Sequence, residues 1–297
     1  MKIVMRNLKY SSGIALIQVL LISAVLSLMA VQLNKSAKVN TALTSGFSDK
    51  TNALVLMRDA ESILFYKLLS RDDEQLSNLE DLNYYGETFQ FNDHAIVTLQ
   101  DTAGLINLHY PNRNLIRRWA LFNNLSEEKA DSIYGQLIDW QDKDAEVSPY
   151  GAESEAYISR GTKIANINLS SPLHLLYLLD IGNDRAKSLA EISTVYGYTA
   201  LNPYHFPNEL LLLNYGRNIA EDIIGMRQEK NISHKMFSQR TGDNEDEDKS
   251  FAISPYLNVL IEVSYGNAIV SKSSTVELVP FFKGGQAAIS KLKTTIH

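Results

Sequence analysis

The apolar and polar positions divide the chain into unlike stretches. An unbroken apolar run extends from Ile14 to Leu33, directly after a leader (residues 1–13) that carries Lys2, Arg6 and Lys9 and no acid. At about 1.5 Å per residue, a helix of this length covers the roughly 30 Å hydrocarbon core of a bilayer. A cleavable secretory signal has an apolar region of only about 7–15 residues, so the run predicts an anchor that persists. The basic flank stays on the cytoplasmic side, which places the chain after Leu33 beyond the inner membrane. Residues 34–70 continue as helix, because Ala53, Leu56, Met57, Ala60, Leu64 and Leu68 recur at helical spacing and make one apolar stripe. Gly46 is the predicted weak point or kink.

The acidic, Asn-rich stretch 71–87 breaks this periodicity and predicts a loop. Two short strands are then expected, Ala95 to Leu99 and Leu105 to Leu108, separated by a turn over Asp101-Thr102-Ala103-Gly104. From Pro111 to about Lys230 the pattern is helical. Leu115, Trp119 and Phe122 share one face, and Ala130, Ile133, Tyr134 and Leu137 share another that Ser126 caps, with Glu127 and Glu128 in the first turn. Further helices are predicted at Leu173 to Leu179, Arg185 to Ile192 and Asn208 to Met226. The polar segment Ser238 to Lys249 reads as a mobile loop. Tyr256 to Ser264 and Ala268 to Leu278 alternate around Gly266-Asn267, the signature of a hairpin. Strands on both sides of a helical block of about 120 residues point to an insertion into one sheet rather than two domains in series. The expected divisions are 1–13 leader, 14–70 helix with its membrane part at 14–33, 71–110 first part of the sheet, 111–230 inserted α-domain, and 231–297 closing loop and strands.

Composition narrows the chemistry. The 297 residues hold 28 Lys+Arg against 34 Asp+Glu, a formal charge of −6, and no cysteine. The acidity runs against nucleic-acid binding. Without cysteine there are no disulfides, thiolate metal sites or cysteine nucleophiles. The six His form no i,i+4 zinc pair, and neither a Gly-x-Ser-x-Gly elbow nor a phosphate-binding glycine loop is present. An enzyme is not indicated.

At the junction between leader and apolar run stands Ser12-Gly13-Ile14-Ala15-Leu16-Ile17-Gln18. It resembles the processing site of type IV prepilin-like proteins, which implies cleavage by a prepilin peptidase between Gly13 and Ile14 and N-methylation of Ile14. Most pilins carry Glu at the fifth mature position, where this chain has Gln18. A carboxylate in hydrocarbon is costly and is tolerated in pilins because it pairs with a neighbour's amine. A neutral Gln18 cannot do this, which suits a subunit at a filament tip.

Further landmarks appear in order: Asp101 and Gly104 before Ile106-Asn107-Leu108; Leu137-Ile138-Asp139-Trp140 followed by Asp142 and Asp144; Gly151-Ala152-Glu153 with Tyr157; Ala165-Asn166; and Ser254 before the last hairpin. With these the chain resembles the K-type minor pseudopilins of the type II secretion system. Where relatives have an Asn-Thr-Ala-like run, this chain reads Tyr204-His205-Phe206-Pro207. The resemblance implies an α+β pilin-like fold: a long N-terminal transmembrane helix packed on an antiparallel sheet, with a large inserted all-α domain. It also implies a place in the tip complex of the pseudopilus with I-type and J-type minor pseudopilins, and contact with the major pseudopilin and the inner-membrane secretion platform. The protein would be a single-pass inner-membrane protein with its bulk in the periplasm.

Asp139, Asp142, Asp144, Glu146, Glu153 and Glu155 crowd into 17 residues, opposed locally by Lys143 alone. Calcium takes about six to eight oxygen ligands, and alternate carboxylates of a loop can converge on one ion. Counting Asp142 as position 1 gives a partial EF-hand spacing, but Val147 stands where an EF-hand needs Gly. The plain alternative is a solvated acidic loop. K-type relatives bind calcium in their α-domain, which favours a calcium site with Asp139 and Glu153 as first choices and Asp142, Asp144 and Glu146 next. The second acidic run, Asp243 to Asp248, is expected to be a flexible solvated loop.

Two other functions remain in view. A minor pilin of a type IV pilus is one, against which the large insert counts. The other is a membrane-anchored DNA receptor, suggested by Asp180-Ile181-Gly182 and the residues after it, which resemble a helix-hairpin-helix turn; Asp180 and Asp184 there would repel phosphate.

Overall fold

The computed structural model describes residues 12–70, 81–164, 166–197, 200–279 and 288–296. The basic leader up to residue 11, residues 71–80 of the expected acidic loop and Ala165 of the landmark pair lie outside them. Helix α1 (Ser12–Ser70) runs through Gly46 without a break, and a Cβ added at that position would meet no atom within 4 Å. From Ile14 to Leu33 its large apolar side chains are exposed. Farther along, Ala53, Met57, Ala60, Leu64 and Leu68 are buried together with strand residues, as their helical spacing requires.

Those strands are β1 (Tyr85–Gln90), β2 (Ala95–Asp101), β5 (Tyr256–Tyr265), β6 (Ala268–Leu278) and β7 (Ile289–Ile296), antiparallel in that spatial order. Val97, Leu99, Val259, Ile261 and Val263 alternate inward against α1. The expected hairpin is present, with Tyr265 opposite Ala268. Part of the predicted 71–87 loop is strand: β1 starts at Tyr85, and Gly86 takes φ +84° where the register shifts. The acids and glycine hid an edge strand whose pairing with β2 is non-local.

β2 and β5 are hydrogen-bonded neighbours, with Asp101 opposite Leu257, although more than 150 residues separate them in sequence. The intervening chain builds a second hydrophobic core running from Ile106 to Phe251. It contains α2 (Arg113–Phe122), α3 (Glu127–Asp139), α4 (Ser154–Tyr157), α5 (Asn183–Glu191), α6 (Asn208–Tyr215), α7 (Arg217–Gln228) and α8 (His234–Thr241). Ser126 caps α3 as expected, its hydroxyl accepting the Lys129 N–H.

Several local expectations change. The second short strand shrinks to β3 (Ile106–Asn107), which pairs in parallel with β4 (Ser193–Thr194) inside the helical core and not in the main sheet. Leu173 to Leu179 is a 3₁₀ turn over Pro172–Tyr177. The single helix expected over 208–226 is two, split at Gly216, whose φ of +78° ends the first. The segment 238–249 begins as the end of α8, and its acidic part is tied down: Tyr215 Oη donates to Asp243, Lys249 Nζ pairs with Asp243 at 2.6 Å, and Phe251 N–H donates to Glu245 at 2.8 Å.

A buried junction joins sheet and insert. Asp101, fully buried at the end of β2, accepts from His205 Nδ1 at 2.7 Å, from the Asn202 amide at 3.2 Å and from the Ser254 N–H at 3.2 Å. Gly104 is required beside it, because a Cβ there would stand 2.3 Å from the His205 carbonyl oxygen. Asp101, Gly104, His205 and Ser254 thus meet where the chain leaves and re-enters the sheet.

Candidate functional site

The last turn of α3 and the loop that folds back over it bring three carboxylates together. One oxygen each of Asp139, Asp142 and Glu153 lies within 4.8 Å of the others. Asp139 ends α3 and is fully buried; both its oxygens accept the Ser148 N–H, at 3.1 and 3.2 Å. Asp142 follows one turn later, its N–H donating to the Ile138 carbonyl at 3.1 Å. Glu153 sits at the N-cap of α4, where one oxygen accepts the Ser154 N–H at 3.3 Å.

The loop can approach this closely because of one glycine. A Cβ on Gly151 would stand 2.0 Å from Asp139 Oδ2, so any other residue would push the carboxylate away. Trp140 closes the far side, edge-on to Tyr157 at 5.3 Å and stacked on Tyr177 at 5.7 Å. The Tyr157 hydroxyl donates to Gln136 at 3.2 Å, and burial and the Asp139 charge push its pKa well up.

The electrostatics call for a cation. Asp142 Oδ1 and Glu153 Oε1 are buried and have no hydrogen-bond partner among the described residues. Burial, and after it the charges of Asp144 and Asp139, raise the Asp142 pKa. Burial also raises that of Glu153, against the Ser154 N–H, with Asp139, Asp142 and Asp144 adding to the rise. Buried oxygens that repel one another and lack donors are held most stably by a hard divalent ion. The donor set is all oxygen, the kind of set that could hold a hard cation such as calcium.

The other carboxylates singled out in the sequence lie elsewhere. Asp144 is exposed and turned to its own loop, where its Oδ1 accepts the Glu146 N–H at 2.9 Å; Glu146 and Glu155 are exposed. Gln18 is exposed on the apolar part of α1, and Ile14 opens the exposed apolar run just after Gly13. The helix-hairpin-helix-like turn is a structural joint: Asp180 accepts from Ser132 Oγ at 2.8 Å and Gln136 Nε2 at 3.0 Å, which locks the turn onto α3. The contact of Gln136 with this region carries no sequence signal, because an amide declares nothing until the fold places it; Gly151 belongs to the landmark Gly151-Ala152-Glu153, and the fold supplies the reason for it.

Comparisons with known proteins agree with this architecture. Residues 94–202 match the model of the family described as Type II secretion system (T2SS), protein K. No curated protein matches. Among solved structures, a chain of the GspK-GspI-GspJ complex from the enterotoxigenic Escherichia coli type 2 secretion system superposes with a TM-score of 0.55. The match covers 86% of this chain and 99% of that one at 14% identity, a likeness of fold.

Proposed function

We infer that this chain, which carries the protein K domain of the type II secretion system on a pilin-like fold, is a minor pseudopilin of that system. The observation that carries this reading is the insertion of a complete helical core between adjacent sheet strands, on a body hung from an apolar helix. Filament growth needs each subunit to fit beneath another. A head widened in this way fits only at the tip.

The solved relative was crystallised in a complex with GspI and GspJ. The same kind of tip assembly, with I-type and J-type minor pseudopilins above the major pseudopilin, is our reading for this chain. Its role is to initiate or cap the filament raised by the inner-membrane platform, with the helix in the inner membrane and the head in the periplasm. That role is structural rather than catalytic. Prepilin peptidase cleavage after Gly13 and methylation of Ile14 belong to the same reading.

Calcium held by Asp139, Asp142 and Glu153 would supply positive charge where three carboxylates meet. Asp139 fixes the end of α3, Glu153 fixes the start of α4, and the loop between them is then closed at both ends. Co-purification of the full chain in detergent with the I-type and J-type subunits of the same cell tests the assignment. A stable ternary complex is expected. Its absence, with assembly into a pilus instead, would favour the type IV pilus alternative.

A further inference from the structure

Where the outermost strand β1 meets the helical core, the surface sinks into a cleft of about 610 Å³. That volume lies within the range of specific ligand sites. Four separated stretches of chain build it: the residues around β1, the 204–205 turn, the end of α7 with the segment that follows it to His234, and the approach to β5. Its walls are aromatic. Tyr204 packs edge-on to His234 with ring centroids 4.5 Å apart and lies 6.1 Å from Phe251, while Tyr85 covers the Arg227 guanidinium at 3.9 Å.

Arg227 is the anomaly. It is 3% exposed, and among the described residues its hydrogen bonds go to backbone carbonyls: Nη1 donates to Phe206 O at 2.9 Å and Nη2 to Tyr204 O at 2.7 Å. Among the described residues no carboxylate forms an ion pair with it. The acids of the cleft are engaged elsewhere, Asp81 with Lys230 at 2.6 Å and Glu87 with the Asn208 amide at 3.1 Å. A buried guanidinium with no carboxylate in contact is costly: burial pulls the Arg227 pKa down to about 10, and the nearby Tyr85 and Glu87 charges offset only part of this. A guanidinium has five N–H donors, so donors remain for a ligand.

His205 supplies a second open group. It is 4% exposed and lines the cleft; Asp101 holds its Nδ1 at 2.7 Å, and Nε2 has no partner among the described residues. In the neutral ring, with the Nδ1 proton on the Asp101 side, Nε2 is an acceptor. Backbone pairing is closed off at the neighbouring bulge of β1, because the Asn83 side chain accepts the Glu87 N–H at 3.1 Å and donates to the Glu87 carbonyl at 2.9 Å. Recognition there falls to side chains.

We propose that this cleft docks an aspartate or glutamate side chain presented by an extended peptide segment of a partner protein. The carboxylate meets Arg227, a backbone N–H of the segment meets His205 Nε2, and apolar neighbours lie on Tyr204 and Phe251. An acidic occupant supplies the hydrogen-bonded carboxylate that Arg227 lacks, and the aromatic walls favour flanking apolar residues over a bare ion.

The test uses the full chain in nanodiscs and two probes, N-acetyl-Tyr-Glu-Tyr-amide and its Glu→Gln analogue, with affinities from calorimetry. The Glu probe is expected to bind at least about tenfold more tightly, as for a charge-assisted bond against a neutral one, and to weaken with added salt. Arg227→Gln should erase the difference between the probes. Because that variant removes a buried brace, His234→Ala on the exposed rim provides a second check: both probes weaken alike and the ratio is preserved. Equal affinities for the unaltered chain, or no binding of either probe, would overturn the proposal.

Discussion

At the scale of single residues, the carboxylates differ by what surrounds them. Asp142 Oδ1 and Glu153 Oε1 are buried without donors, whereas Asp144, Glu146 and Glu155 face solvent. A bound ion stabilises the fold with the logarithm of its concentration over its dissociation constant, about 2.7 kcal/mol at a hundredfold excess. Calcium should therefore raise the melting temperature of the full chain by several degrees, and a chelator should reverse this. Glu153→Gln, which keeps the shape, should remove most of the calcium response, while Glu155→Gln should leave it intact; equal behaviour of the two by calorimetry would refute the assignment. Asp101 poses the opposite case. Burial alone would raise its pKa, but the hydrogen bond and charge of His205, with the N–H groups of Ser254 and Ala103, outweigh burial and hold it below 3.8. Its contribution is therefore complete above that value and is lost as pH falls through the folded pKa. Asp101→Asn should lower stability at neutral pH by about 1–3 kcal/mol and flatten the decline below pH ~4. An unchanged acid limb in urea titrations would refute this.

At the scale of elements, α1 is fastened to the sheet by packing and by one charged clamp. Glu61, 8% exposed, accepts from Lys272 on β6 at 2.6 Å and from Lys291 on β7 at 2.8 Å, and the two lysines together hold its pKa down against burial. Glu61→Gln should cost about 2 kcal/mol, and the loss should appear as faster amide exchange in the edge strand β7 ahead of β5. Uniform acceleration across the sheet would contradict this. The elements legible in the sequence were those with local signals: the stripe of α1, the Ser126 cap, and the alternation around Gly266-Asn267. The illegible ones depend on distant chain. β1 buries Phe89 on its pairing with β2, β3 is two residues long and pairs with β4, and the continuity expected over 208–226 fails at Gly216, which takes a positive φ. The carboxylate cluster was half legible for the same reason. Spacing supplied six acids, but only the return of Gly151 over α3 decides which are buried. Arg227, His205 and Tyr85 come from three remote stretches, and their cleft has no sequence signature.

At the scale of the molecule, charge and length organise the chain along one axis. Helix α1 spans 59 residues, about 90 Å at the standard rise, and its first part offers exposed apolar side chains while its second part is packed into the head. An exposed helix this apolar is stable only in a bilayer or against similar helices. The leader holds three bases and no acid, so its removal would take the charge from −6 to −9, that is 25 − 34, and would concentrate the acidity outside the membrane. It would also leave the Ile14 amine at the end of a hydrocarbon-embedded helix, with Gln18 unable to neutralise it. In the tip-subunit reading proposed above, that amine takes a carboxylate from another subunit and Gln18 offers none in return, which suits the first place in a stack rather than an interior one. Two measurements follow. Mass spectrometry of the protein extracted from its membrane should give a chain that begins at Ile14 and carries one methyl group, and an intact Met1 terminus would overturn the processing step. Gln18→Glu should leave the purified head and its melting temperature unchanged, yet allow the chain to be crosslinked within filaments as well as at their ends; a distribution identical to that of the unaltered chain would show that the width of the head alone confines it to the tip.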